Sequence, residues 1–182
     1  MTQTLGSAGE APGLHTLRQA RTRALARRGR GVAALTATRA YLVCVCGPDR
    51  FGLPLGQVAQ VLPTRPVTPL PGAPPAVLGL IALSGRVVSL LALGRALGRP
   101  AEPSDEAGHV VVVRGATVPV ALAVDRVLGV AEIADEALDS AYAETGLSAE
   151  AVSGYAPAGA GQGAETGFVV LDLPRLMRRY LS

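Results

Sequence analysis

Residues 77–98 read "VLGLIALSGRVVSLLALGRALG", nearly unbroken apolar sequence with Ser84, Gly85 and Arg86 at its centre. A membrane helix needs about 20 apolar residues, so the stretch has the length for one. It also holds Gly79, Gly94 and Arg95, and Arg86 falls near its middle. An arginine there costs roughly 2.5–3.5 kcal/mol even on the most lenient insertion scale. Two apolar runs flanking a Ser-Gly pair instead match two strands joined by a tight turn, and the Val and Ile content agrees. The stretch is a hairpin. On its first strand Val77, Gly79, Ile81 and Leu83 share one face, and Leu78, Leu80 and Ala82 the other. A strand apolar on both sides is either sandwiched within the protein or covered on its second face by a partner. The interior arrangement is expected.

Outward from the hairpin, the chain repeats itself. "FGLPLGQVAQV" (51–61) aligns without gaps with "VALAVDRVLGV" (120–130), at an offset of 69. Phe51, Leu53, Leu55, Val58 and Val61 meet Val120, Leu122, Val124, Val127 and Val130. The hairpin is matched by "VSGYAPAGAGQGAETGFVVLDLPRLM" (152–177): Gly79 meets Gly154, and "SLLALGRAL" meets "VVLDLPRLM". Each half then reads as strand, strand, connector and hairpin, with the changeover near 100–109 beside the acidic "EPSDEAG" (102–108). Short strands with Gly and Pro turns favour small barrels over an α/β design. The first connector, "LPTRPVTPLPGAPP" (62–75), holds six prolines and can be neither helix nor interior strand. A stiff extended segment draped over a barrel is expected there, rather than an SH3-type ligand. Pro174 opens a short C-terminal helix, "PRLMRRYL".

The net charge of +3 hides an asymmetry. Residues 1–40 carry seven arginines against Glu10 alone, a net +6, so the remainder is mildly acidic at −3. The basic leader, 1–39, is expected to be disordered or partly helical, with Leu14, Leu17, Arg21, Ala24 and Leu25 on one helical side. It is suited to nucleic acid, an anionic membrane or an acidic protein, or is simply solvated. The chain has no lysine, which excludes the P-loop lysine, Schiff-base chemistry and pyridoxal phosphate. Cys44 and Cys46, on one face of a strand and about 7 Å apart, are beyond normal disulfide reach and read as small apolar fillers. Their reduced state and the lack of a cleavable apolar leader make the cytoplasm the expected location. His15 and His109 complete no metal site. "GAGQG" (159–163) lacks the spacing and setting of a nucleotide loop, and Ser84 lacks a G-x-S-x-G elbow. Asp125 and Asp172 read as acids at strand ends that bond turn amides. No enzyme, cofactor or metal is expected. Single-stranded nucleic-acid binding is the alternative, since small barrels do this, but the chain has no Trp, two Phe and four Tyr, and an acidic body.

The run from "YLVCVCGPDRFGLPLGQVAQVL" through "VTPLPGAPPAVLGLIALSGRVVSLLALGRALG" resembles the CheW-type chemotaxis coupling family, as do "VVVVRGATVPVALAVDRVLGV" and "VSGYAP…GFVVLDLPRLM". The resemblance spans about residues 40–181. It implies a mainly β domain, 40–182, of two five-stranded SH3-like barrels around a shared core, the subdomains interleaved with a changeover near 100–109. It further implies a non-catalytic scaffold linking the cytoplasmic tip of chemoreceptors to the regulatory domain of a CheA-type histidine kinase. A stand-alone adaptor with another partner is the second alternative. Positions matching the family's docking segments are Val58, Gln60, Val61, Leu80, Leu83, Ser84, Arg86 and Val88, with Arg65 and Arg126 as rim charges. This chain departs from the family at Gln60, Ser89 and Ala92, and has Ser84 where arginine is usual before the hairpin glycine. Arg86 stands two residues on, which preserves strand parity and suits it as a substitute.

Overall fold

The computed structural model describes residues 37–100, 108–115, 118–140 and 151–180; the leader, with its expected helix, lies outside them. In chain order the elements are β1 (Thr38–Cys46), β2 (Asp49–Pro54), β3 (Val58–Pro63), β4 (Val77–Leu83), β5 (Arg86–Ala92) and α1 (Leu93–Ala96). There follow β6 (His109–Val113), β7 (Val120–Val124), β8 (Arg126–Ala134), β9 (Val152–Ala156), β10 (Gly161–Gln162), β11 (Phe168–Leu171) and α2 (Leu173–Arg178).

Among the described residues the strands form two sheets, ordered β10-β8-β1-β2-β11-β9 and β3-β6-β7-β5-β4. Each half lends two strands to the sheet completed by the other. Strands β8, β1, β2, β11 and β9 of the first correspond to β3, β6, β7, β5 and β4 of the second. Each set contains one parallel contact, β11 with β2 and β5 with β7. Even the irregularities repeat. Strand β3 bulges at Ala59 and β8 at Leu128, and β4 bulges at Leu78 and β9 at Ser153. The sequence offset is thus a structural equivalence.

Both sheets are closed by the segment that follows β3 in one and β8 in the other. Thr68, within the proline-rich connector, exchanges two backbone hydrogen bonds of 2.8 Å with Leu80 of β4. Asp139 does the same with Tyr155 of β9 at 2.9 Å. The glycine before each bridge makes room for it. A Cβ on Gly79, whose φ is 143°, would overlap the Thr68 carbonyl, and one on Gly154 would lie 3.0 Å from the Asp139 carbonyl oxygen.

The core has three parts. Leu42, Cys44, Phe51, Leu53, Leu91, Leu122, Leu171 and Leu173 belong to a shared centre. Tyr41, Val43, Ile133, Phe168 and Val170 fill the first barrel, and Ile81, Val88, Leu90, Val110 and Ala121 the second. Strand registers pair Tyr41 with Val110, Gly52 with Ala121, Ala131 with Leu62, Ala156 with Ile81 and Phe168 with Val88. The first barrel carries its bulk as two aromatic rings, 6.0 Å apart, over small residues. The second carries it as aliphatic side chains on β3 and β4. The two barrels are thus filled by different residues at equivalent positions. Cys44 and Cys46 are free and buried, and burial pushes both thiols up to about 12.

Three expectations change. The first barrel gains a sixth strand, β10, because Gly161 and Gln162, inside the "GAGQG" loop, pair with Ile133 and Glu132. The hairpin is not sandwiched: β4 is an edge strand, Ala82 is exposed and Val87 is 64% exposed. The bulge at Leu78 also breaks the simple alternation assumed for β4.

Candidate docking surface

The β4–β5 turn has two residues, Ser84 and Gly85, with φ of 48° and 75°. Both lie in the left-handed region, as a twist-matched two-residue hairpin turn requires. Ser84 is the one non-glycine among the described residues with positive φ, so the tip is held at a small backbone cost. The turn sets Leu83 opposite Arg86, Ala82 opposite Val87, Ile81 opposite Val88 and Leu80 opposite Ser89. Along β5, Leu91 lies in the shared core, Ser89 is half-buried and Val87 stands in solvent. That face therefore grades from core to open apolar surface over five residues.

The residues expected to dock fall into different surroundings. Gln60 and Val61 are exposed on β3, Val61 at 37%, while Val58 packs partly against the shared core. Leu80 is half-buried, Leu83 packs against the second barrel's core, and Ser84 and Arg86 are exposed. Val88 is 3% exposed inside the barrel and has no face to offer a partner. Strands β3 and β4 are opposite edges of the sheet, joined by the Thr68–Leu80 bridge, so the set divides into a β3 group and a hairpin group. Ser84 also corrects the parity argument for Arg86. Ser84 lies in the turn, so moving two residues on crosses the chain reversal and places Arg86 on the return strand.

Val87 was missed because Val88, its neighbour on the opposite face of β5, was placed among the contact residues instead. Leu128 and Val130 on β8, 49% and 47% exposed, were missed too. They are the equivalents of Ala59 and Val61 at the offset of 69, which was the available signal. Asp172 behaves as expected of a strand-end acid, accepting the Arg175 N–H at 3.0 Å. Asp125 accepts the Gly47 N–H at 2.6 Å, an amide of the β1–β2 turn rather than of its own. Among the described residues, no three His, Cys, Asp or Glu side chains group as metal ligands, and no helix is long and apolar enough to cross a membrane.

A family model, the CheW-like domain, matches residues 40–180. Among solved structures, the scaffolding protein TtCheW from Thermoanaerobacter tengcongensis is similar, with a TM-score of 0.65 and 18% identity. That match covers 75% of this chain and 90% of the other, and at such identity it is a likeness of fold. No curated protein matches the chain.

Proposed function

The chain belongs to the CheW-like domain family, and on that premise we propose that it is a non-catalytic cytoplasmic scaffold coupling chemoreceptors to a CheA-type histidine kinase. One observation carries this reading: the apolar strand surface left open beside the hairpin tip, where Val87 is 64% exposed next to Ala82 and Arg86. Fully burying a valine side chain stabilises by about 1.5–3 kcal/mol, so an exposed one on an ordered edge hairpin offers a partner that increment. The rigid two-residue turn keeps the ordering cost of docking small. Gln60 and Val61 on β3 form the second contact group, and Arg65 and Arg126 supply rim charge. The arginine-rich leader adds electrostatic steering toward an acidic partner, strongest at low salt.

The test is reconstitution: soluble receptor tip fragments and kinase, with and without this chain, with kinase autophosphorylation as the readout. Receptor-dependent control of phosphorylation that requires the chain supports coupling. Phosphorylation indifferent to the chain at saturating amounts refutes it.

A further inference from the structure

The mouth of the second barrel opens into a cleft of ≈ 490 Å³ between the β1–β2 turn, the start of β6 and the end of β5. That is the size of a small-molecule site. Its floor is apolar: Leu90 and Val110 from the barrel core, with Leu78, the bulge residue of β4. Arg95, His109 and Asp125 also line it.

The internal repeat supplies a control for this site. Arg95 of α1 corresponds to Arg175 of α2, and Ala92 to Asp172. In the first barrel, the Asp172 carboxylate pairs with Arg175 Nε at 3.2 Å. In the second, Ala92 lines the cleft and has no carboxylate to give. Arg95 instead donates a bond of 3.3 Å to the Pro75 carbonyl. The acids facing the cleft are engaged elsewhere. Asp49 lies 2.6 Å from Arg99 Nε, an ion pair off hydrogen-bond geometry. Asp125 holds the Gly47 N–H. His109 Nδ1 is closed off from solvent and has no hydrogen-bond partner among the described residues. The cleft thus has an apolar floor, a cation without a paired acid among the described residues, and an orphaned ring nitrogen. At the position of Ala92 its twin has a carboxylate.

We propose that this cleft binds a small molecule with an apolar body and a single carboxylate. The carboxylate sits over Ala92 and takes a charge-assisted bond from Arg95, as Asp172 does for Arg175. The body lies on Leu78, Leu90 and Val110. This site is separate from the docking surface and stands whether or not the coupling function does.

The test is an NMR titration of the full chain with sodium hexanoate and, in parallel, with neutral hexanamide. Hexanoate should give saturable shifts at Leu78, Arg95 and His109 with a roughly millimolar Kd, the range open to so small a ligand. Hexanamide should bind roughly fivefold or more weakly, having no charge for Arg95. Ala92→Asp supplies the missing group internally, so it should raise Tm and lose the hexanoate response. Arg95→Gln should reduce hexanoate to the level of hexanamide, which keeps the test decisive should the first variant fail to fold. Equal binding of the two probes, an undiminished response in folded Ala92→Asp, or shifts located outside the cleft would overturn the proposal. So would saturable binding of an acidic peptide with no response to hexanoate, which would assign the cleft to a partner's side chain.

Discussion

Gly52 and Phe168 form a pair that the other barrel replaces with Ala121 and Val88, and exchanging one pair for the other tests the repeat at side-chain level. A Cβ on Gly52 would overlap the Phe168 ring. That ring is 1% exposed and held against Tyr41, so it has little room to give. Gly52→Ala should therefore cost about 2 kcal/mol by overpacking. Phe168→Val leaves a hole and should cost about 2.5 kcal/mol, less than the full truncation of a buried Phe to Ala. Were the two independent, the double variant would lose about 4.5 kcal/mol, a large share of a total stability of roughly 5–15 kcal/mol. In the double variant the overlap is gone and the new methyl occupies part of the hole. Its loss should be only about 2 kcal/mol, a favourable coupling of about 2.5 kcal/mol. Urea unfolding of the four proteins measures this, read at unchanged slope. A double variant within about 0.5 kcal/mol of the additive sum would refute the equivalence of the two pairs.

Gly79→Ala should cost about 3 kcal/mol, from backbone strain at its positive φ and loss of the Thr68 bridge, and its equivalent Gly154→Ala less than about 1.5 kcal/mol, both read from urea midpoints. Val88→Ala should destabilise by about 1.5–2.5 kcal/mol and Val87→Ala by no more than about 0.5 kcal/mol, since one is core and the other surface. Arg86→Ala should weaken partner binding without shifting Tm, and wild-type affinity in that variant would remove Arg86 from the contact. Folding raises the pKa of Cys44 and Cys46 from 9.0 to about 12, so the native state holds the thiol protons more tightly. Stability should be level below pH 9 and fall above it toward pH 12, by up to about 1.4 kcal/mol per pH unit for each thiol. Neither thiol should react with a disulfide reagent at pH 8 unless the chain unfolds.

The strands of the hairpin, the offset of 69 and the C-terminal helix were legible because each depends on local chemistry. Ser84-Gly85 admits a tight turn, Pro174 admits a helix start, and short Val- and Ile-bearing apolar runs on either side of the turn admit strands. The exchange of strands between barrels was not legible in local chemistry, since nothing local says whether β2 and β3 enter the same sheet; only the family resemblance implied interleaved subdomains. The open outer face of β4–β5 was hidden for a related reason. An apolar residue such as Val87 reads the same in a core and on a docking edge, and only the position of β4 at the sheet's end decides between them. Val88 was misplaced among contact residues because family position marks a segment, whereas strand parity decides which side chain of that segment faces out. The bulges at Leu78 and Ala59 shift that parity; Gly79 follows the first, while no glycine or proline adjoins the second. The alignment sets Ala92 opposite Asp172, but the cleft beside Ala92 could not be foreseen, because its walls come from segments far apart in the chain that only the fold brings together.

The coupling function is tested most directly by calorimetric titration of the full chain with the regulatory domain of a CheA-type kinase from the same organism. A saturable one-to-one interaction of roughly micromolar Kd, weakened by Val87→Asp, is the expected result. Absence of binding by a sample that unfolds cooperatively would contradict the coupling role, leave the fold in place and redirect the search to a different partner.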